Sequence, residues 1–243
     1  GMVRRNAMSA FTNIPSNGKY AMGFVEGSGD RLIGVTLLSE EQDVFLASNS
    51  DKAIRFSAQD ARETKSRTGI GVRGMTLDRG TEVVSLAVLD QNERDAEKRE
   101  AYLRVAPWKQ GNGLEELSEE QRAMAEREEF ILTLTANGYG KISSAYEYRT
   151  IGRGGKGLIN IGSPESDPDR NGPVVASFPV RHGDQIMLVT NQAKLIRLTI
   201  EFRHLVENGF AEHLGMPIIG RTASGVRIFN VAEGEHVVSV AHI

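Results

Sequence analysis

At 243 residues the chain exceeds the roughly 100–200 residues of an ordinary domain, but closed all-β architectures reach this length as one unit, so a single domain over residues 1–243 is expected. A 40% hydrophobic and 25% charged composition with only short apolar runs excludes a membrane-spanning helix, and zero cysteines exclude disulfides and thiolate–metal sites. The net charge of −3 excludes a simple polybasic nucleic-acid binder.

Gly1-Met2-Val3-Arg4-Arg5 has no apolar signal region, and a Gly before Met points to an internal start, so the chain is expected to be a piece of a larger protein. A cytoplasmic location is expected on the same grounds, with the cysteine-free composition compatible. The negative charge is local. Residues 90–129 hold 12 acidic and 7 basic side chains, leaving 22 basic against 20 acidic elsewhere.

In chain order, the sequence reads as a repeat of paired hairpins. Gly18-Lys19-Tyr20 through Phe24-Val25-Glu26-Gly27 to Arg31-Leu32-Ile33-Gly34 is the loosest copy of a strand, a tight turn at Gly and a second strand. Val44 to Phe56 is a different hairpin: a near-continuous apolar strand, as expected when both faces are buried, then a turn at Asn49 and a second strand. A basic glycine loop, Ser66-Arg67-Thr68-Gly69-Ile70-Gly71-Val72, leads into the next strand–turn–strand copy, Gly71 to Ser85.

An insertion from about 90 to 129 follows. Ser118-Glu119-Glu120-Gln121 has the capping-box pattern and predicts a helix from there to about Glu129, with the lone Trp108 expected to pack locally. The acidic excess predicts that this insertion points away from any phosphate-binding face and that the blades fold without it. Phe130 to Lys141 repeats the apolar hairpin, Gly152-Arg153-Gly154-Gly155-Lys156-Gly157-Leu158 repeats the basic loop, and Gly157 to Ile161 begins another copy before a polar loop at 162–173. Ile186 to Leu198 is the third hairpin, 201–215 is expected to hold a short helix, and Gly220-Arg221-Thr222-Ala223-Ser224-Gly225-Val226 leads into a last copy, Gly225 to Ser239. Four strands per repeat at a spacing of 53 residues from Gly18 to Gly71 predict propeller blades, about four or parts of them.

The repeated basic loop is the candidate site. Backbone N–H groups and a cation recurring on each blade suit the phosphates of a duplex. The competing reading is that the glycines serve positive-φ turns and the cations are solvated surface. Gly152 to Gly157 also fits G-x-G-x-x-G, but the alternating Leu158-Ile159-Asn160-Ile161 predicts a strand after it where a dinucleotide site needs a helix. The five histidines lack metal-ligand spacing, no nucleophile motif is present, and no cofactor or metal is expected.

Asn137-Gly138-Tyr139-Gly140-Lys141, followed by Tyr148-Arg149-Thr150-Ile151-Gly152-Arg153-Gly154-Gly155-Lys156-Gly157, resembles a late blade of the C-terminal domain of the bacterial DNA gyrase A protein. Thr68 to Gly74 and Asp184 to Met187 fit the same family. The resemblance implies an all-β propeller variant with strands exchanged between blades, a β-pinwheel whose basic perimeter wraps DNA. It implies non-specific duplex DNA as partner, beside the gyrase B subunit and the rest of the gyrase A subunit, with no membrane. The family's box, Gln-Arg-Arg-Gly-Gly-Lys-Gly, has Ile151-Gly152 in place of its Gln-Arg here, so the first two blades and the box proper are expected to be lacking. The topoisomerase IV A subunit is the alternative within the resemblance, and a protein-interaction propeller that ignores DNA is the alternative outside it. None of Tyr20, Tyr102, Tyr139, Tyr146 or Tyr148 follows an Arg, as the family's strand-cleaving tyrosine does. The catalytic residues of an ATP-driven type II topoisomerase are therefore expected outside this chain. The expected phosphate contacts are Lys19, Arg67, Arg73, Arg149, Arg153, Lys156, Arg221 and Arg227.

Overall fold

In the computed structural model, which describes residues 1–91, 93–110, 114–205 and 215–243, the apolar hairpins form the middle of each sheet. The strands are β1 (Met2–Val3), β2 (Asp43–Ser48), β3 (Lys52–Ser57), β4 (Val72–Arg73), β5 (Val83–Leu89), β6 (Phe130–Thr135), β7 (Tyr139–Ser144), β8 (Leu158–Ile159), β9 (Val174–Val180), β10 (Gln185–Thr190), β11 (Leu195–Thr199), β12 (Val226–Arg227) and β13 (Val237–His242). They assemble as β5-β2-β3-β8, β12-β7-β6-β9, β11-β10-β13 and the pair β1-β4, all antiparallel.

The order departs from sequence in one systematic way. Each module contributes its hairpin and its last strand to its own blade and sends its third strand to the blade before it. Thus β8 joins β3, β12 joins β7, and β4 joins β1. β5 packs beside β9 and β9 beside β13, so these last strands sit inside and the exchanged strands form the outer edge of each blade.

Burial on two faces explains the unbroken apolar runs. In β2, Val44 and Leu46 face the core shared with Val3 and Met75, while Phe45 and Ala47 face the core shared with Ile131, Ala145 and Tyr148. In β6, Ile131 turns toward β2's blade, and Leu132 and Leu134 turn toward Ile186 and Leu188 of β10. The three cores are the three seams between successive blades. In the last blade the described residues cover only one face, so Ile186 and Leu188 are buried while Met187 and Val189 are half-buried. The polar middle of the seam between the second and third blades is self-satisfied. Thr133 Oγ1, Asn160, Ser177 and the Tyr148 hydroxyl hydrogen-bond one another at 2.7–3.3 Å with all four residues buried.

The hairpin turns near Asn49, Gly138 and Gln192 fall at matching register positions, with φ of +80° at Gly138 and +61° at the equivalent Ala193. The predicted copy at 18–34 is different: residues 13–38 form no strand, and Tyr20, Val35 and Leu37 are exposed. Of its equivalents, β8 and β12 pair with hairpin strands and β4 with β1, whereas this copy pairs with no strand among the described residues.

Among its described residues the insertion holds three α-helices where one was expected. α1 (Ala96–Val105) is capped by Asp95, whose carboxylate accepts from the N–H groups of Glu97 and Lys98. α2 spans Pro107–Gln110, and α3 (Glu119–Glu126) carries the predicted capping box between Ser118 and Gln121. Nor do the helices stand apart from the blades. Tyr102, Ala106, Trp108 and Met124 are buried in the same core as Leu132, Leu134, Ile186 and Phe202, so Trp108 packs on the blade seam and not only locally. The Glu128 carboxylate fastens them, accepting from the Tyr102 hydroxyl at 2.5 Å, Trp108 Nε1 at 3.0 Å and Ser144 Oγ. Of the helix expected in 201–215, Arg203–Leu205 is a 3-10 turn, and 206–214 lie outside the described residues.

Candidate nucleic-acid interface

The basic loops lie where strand exchange occurs, at the outer edge of the blades. Each ends in a glycine of positive φ directly before the exchanged strand: Gly71 at +82°, Gly157 at +83° and Gly225 at +77°. A Cβ at these positions would stand 2.3, 2.4 and 2.7 Å from the carbonyl oxygens of Val3, Ala53 and Gly140 on the receiving strand. Both the backbone turn and the close approach demand glycine, which accounts for the repeat without reference to a ligand.

The repeated arginines also have a structural task. Arg67 Nη1 donates to Tyr20 O at 3.4 Å, and Arg153 donates from Nη1 to Arg73 O at 2.6 Å and from Nε to Asp60 O at 3.0 Å. Arg221 donates from Nη1 to Ile159 O and from Nε to Glu147 O. Tyr20, Arg73 and Ile159 are the same register position of three modules, so one arginine per module ties its loop to the preceding module's exchanged strand. All three arginines remain half-exposed at the perimeter.

The other expected contacts are distributed around these staples. Arg73 and Arg227 are exposed on the outer strands β4 and β12, and Arg149 is exposed beyond the 3-10 turn Ala145–Glu147. Lys156 is exposed and pairs with Asp78 at 3.2 Å, a surface ion pair of little energetic weight. Lys19 is half-buried and donates to Thr12 O. Arg227 and Arg170 lie over the Tyr139 ring at 4.6 and 4.4 Å from its centroid.

Sequence reading missed three cations. Arg170, in the loop 162–173, donates through Nη2 to Ser224 O and Gly225 O and so braces the third basic loop, but it has no repeat to mark it. Lys141 is fully buried, and its ammonium donates to Gly220 O at 2.9 Å, Arg221 O at 2.5 Å and Ser143 Oγ at 3.1 Å. Burial pulls its pKa down to about 7, with Glu147 raising it and Arg221 lowering it in lesser measure. Arg55 is buried with Asp43 at 2.8 Å and reaches Ala145 O in the next blade. Its place in β3 could have marked Arg55, because a cation inside an apolar strand implies a buried partner.

Gly152 to Gly157 runs into β8, a strand, which is the context that rules out a dinucleotide fingerprint. Among the described residues no group of three His, Asp or Glu side chains could hold a metal. Among the described residues, no helix is long and apolar enough to cross a membrane.

Comparison with known proteins agrees with this geometry. The family described as DNA gyrase C-terminal domain, beta-propeller, matches residues 42–90, 129–180 and 217–243; the first two segments span β2 to β5 and β6 to β9, and the third holds β12 and β13. The DNA gyrase A protein of Rickettsia felis is 41% identical over 256 residues, covering all of this chain and 26% of that protein. Its Granulibacter bethesdensis counterpart is 40% identical over 266 residues, covering 99% of this chain and 26% of its own length. The chain thus spans about a quarter of these relatives. Among solved structures, the C-terminal domain of DNA topoisomerase IV superposes with a TM-score of 0.70 at 16% identity, covering 100% of this chain and 59% of that one. A DNA gyrase A C-terminal domain superposes with 0.55 at 20% identity, covering 85% and 52%. At such identities the superpositions speak for the fold, whereas the family match covers more than half of the residues here: the chain belongs to the DNA gyrase C-terminal domain family of β-propellers.

Proposed function

We propose that this chain binds duplex DNA without sequence preference along its outer edge and bends it, as the wrapping part of a gyrase A protein. The observation that carries this reading is the recurrence, blade after blade at the perimeter, of a basic loop feeding an exposed exchanged strand. Phosphates repeat along a duplex, and a curved row of cations can hold them without reading bases. Bending a 20–30 base-pair site by 40–90° costs on the order of 1–6 kcal/mol, which several weak contacts spread along the curve can offset. The acidic insertion is joined at the end of the β6–β7 hairpin away from its turn, whereas β12 pairs at the turn end. That arrangement keeps its charge off the outer strand.

In the whole protein, the bound segment would be presented for ATP-driven strand passage that introduces negative supercoils, with the catalytic residues outside this chain. Its partners there would be the gyrase B subunit and the rest of the gyrase A subunit, in the cytoplasm. The roughly 40% identity to gyrase A proteins favours gyrase over topoisomerase IV. The test is a mobility shift of this chain on duplexes of unrelated sequence at two salt concentrations. Affinity should fall steeply and equally for all of them. An association that ignores salt would point to an apolar protein interface and overturn the proposal.

A further inference from the structure

The insertion between β5 and β6 stands on three successive blades, at the hairpin ends opposite the turns. Where it leaves the second blade, Arg94 Nη2 pairs with Asp43 Oδ1 of β2 at 3.2 Å, and Arg55 of β3 donates to Asp90 O. At the third blade the Tyr146 hydroxyl donates to Met124 O of α3 at 3.0 Å, and its ring meets that of Tyr102 in α1 edge-on, with centroids 5.4 Å apart. Ser144 Oγ, at the end of β7, donates to Glu128, which also accepts from Tyr102 and Trp108. At the last blade α2 packs beside the 3-10 turn Arg203–Leu205, and Trp108 shares a core with Ile200 and Phe202.

The hydrogen-bonded pairings between the third and last blades run along one line. The chain that crosses this seam pairs with β7 through Val226 and Arg227 at its turn end and through a bridge from Ile218 to Ile142. A row of pairings along a single strand is a hinge as much as a joint. The inner strands β9 and β13 pack together without being paired in one sheet, and apolar packing of that kind has no preferred direction. The helices meet the last blade away from the β7 line, at the turn after β11, and therefore oppose tilting about it.

We propose that α1–α3 are a strut that fixes the tilt between the third and last blades, with Glu128 as the positioning residue that docks it, and that the bend imposed on bound DNA depends on this strut without the helices touching the DNA. This rests on the DNA-bending function proposed above. Stiff duplex pulls back on whatever bends it, so a seam free to tilt lets the duplex straighten, whereas a braced one keeps its curve.

Two measurements test it, both made well below the unfolding transition of every variant. The chain has no cysteine, so spin labels at Ser166→Cys, in the loop leading into β9, and Gln192→Cys, at the β10–β11 turn, report the distance between the two blades without DNA. The parent should give one narrow distribution and Glu128→Ala a broad one. Energy transfer between dyes at the two ends of a short duplex, at saturating protein without spin labels, reads the bend. Glu128→Ala loosens one seam of three and should lose up to about a third of the bend. The slope of log K against log salt should stay as it was, because every cation at the outer edge remains. Glu128→Gln can still accept from Tyr102 and Trp108 and donate to the Ser144 hydroxyl, and it should behave as the parent in both measurements. Unchanged distances in Glu128→Ala would overturn the strut, whatever the DNA does. A broadened distribution with an undiminished bend, or a lost bend accompanied by a flatter salt slope, would overturn its link to DNA. Glu128→Gln as loose as Glu128→Ala would overturn docking through these hydrogen bonds. A parent chain that binds no duplex would instead overturn the proposed function, and the distances alone would then decide on the strut.

Discussion

Lys141 shows how a side chain of ordinary appearance can decide local architecture. Its ammonium holds two carbonyls of the third basic loop in place. With a folded pKa of about 7 against an ordinary 10.5, the folded chain releases this proton earlier than the unfolded chain does. Between these values the unfolded state binds more protons, so the contribution of Lys141 to stability rises with pH across that window. In Lys141→Met that part of the dependence should vanish, and unfolding free energies measured between about pH 7 and pH 10 should rise less than in the parent chain. A rise of equal size in both would show that the lysine is not the titrating group. Nothing in the sequence distinguishes this lysine from its surroundings. It occupies the register position held by Ile54 in β3 and by Ile196 in β11.

Hairpins and glycine loops were legible as elements because each is fixed by local physics: two-faced burial gives Val44 to Ala47 its apolar run, and a left-handed turn demands Gly157. Substituting Gly157→Ala would force a Cβ to 2.4 Å from Ala53 O at φ +83° and should cost at least about 2 kcal/mol. Gly152→Ala, with nothing within 4 Å of its Cβ position, should change stability by no more than about 0.5 kcal/mol. Thermal unfolding of the two variants distinguishes a structural glycine from a loop filler. The fate of the 18–34 copy and the packing of the insertion were not legible, because both depend on partners distant in sequence. α3 declared itself through its capping box, but α1 has a weak amphipathic pattern and is held by tertiary contacts. Those contacts converge on Glu128, whose burial raises its pKa while three donors stabilise its charge. Glu128→Ala leaves the Tyr102, Trp108 and Ser144 donors without that carboxylate and should cost about 3 kcal/mol. Because Trp108 is the only tryptophan, its emission should shift to the red as the helices loosen. An unshifted spectrum with unchanged stability would mean that the apolar contacts alone dock the insertion. Removing the insertion outright would uncover the seam it covers, contrary to the expectation that the blades ignore it.

For the whole molecule, one outer edge must both join the blades and, on the proposed function, grip DNA. These demands fall unequally on Arg153 and Lys156, three residues apart in one loop. Arg153 commits two of its N–H groups to Asp60 O and Arg73 O and thereby links modules, while Lys156 is 70% exposed and pairs with the exposed Asp78. Lys156→Ala should therefore leave the unfolding temperature nearly unchanged and flatten log K against log salt by about 0.9, one phosphate's worth, equally for every duplex sequence. Arg153→Ala should lower the unfolding temperature, since it removes two hydrogen bonds at a seam, each worth about 1 kcal/mol. Where Arg153 also reaches phosphate through its remaining N–H groups, its salt slope should flatten by about the same 0.9 when measured well below the lowered transition. Arg153→Lys separates the two roles, because a lysine keeps the charge but cannot donate to two carbonyls in the planar geometry of a guanidinium. It should restore the salt slope without restoring stability. If Lys156→Ala left the slope untouched, Lys156 would lie off the DNA path, and the line of contact would have to run through the outer strands at Arg73 and Arg227 instead.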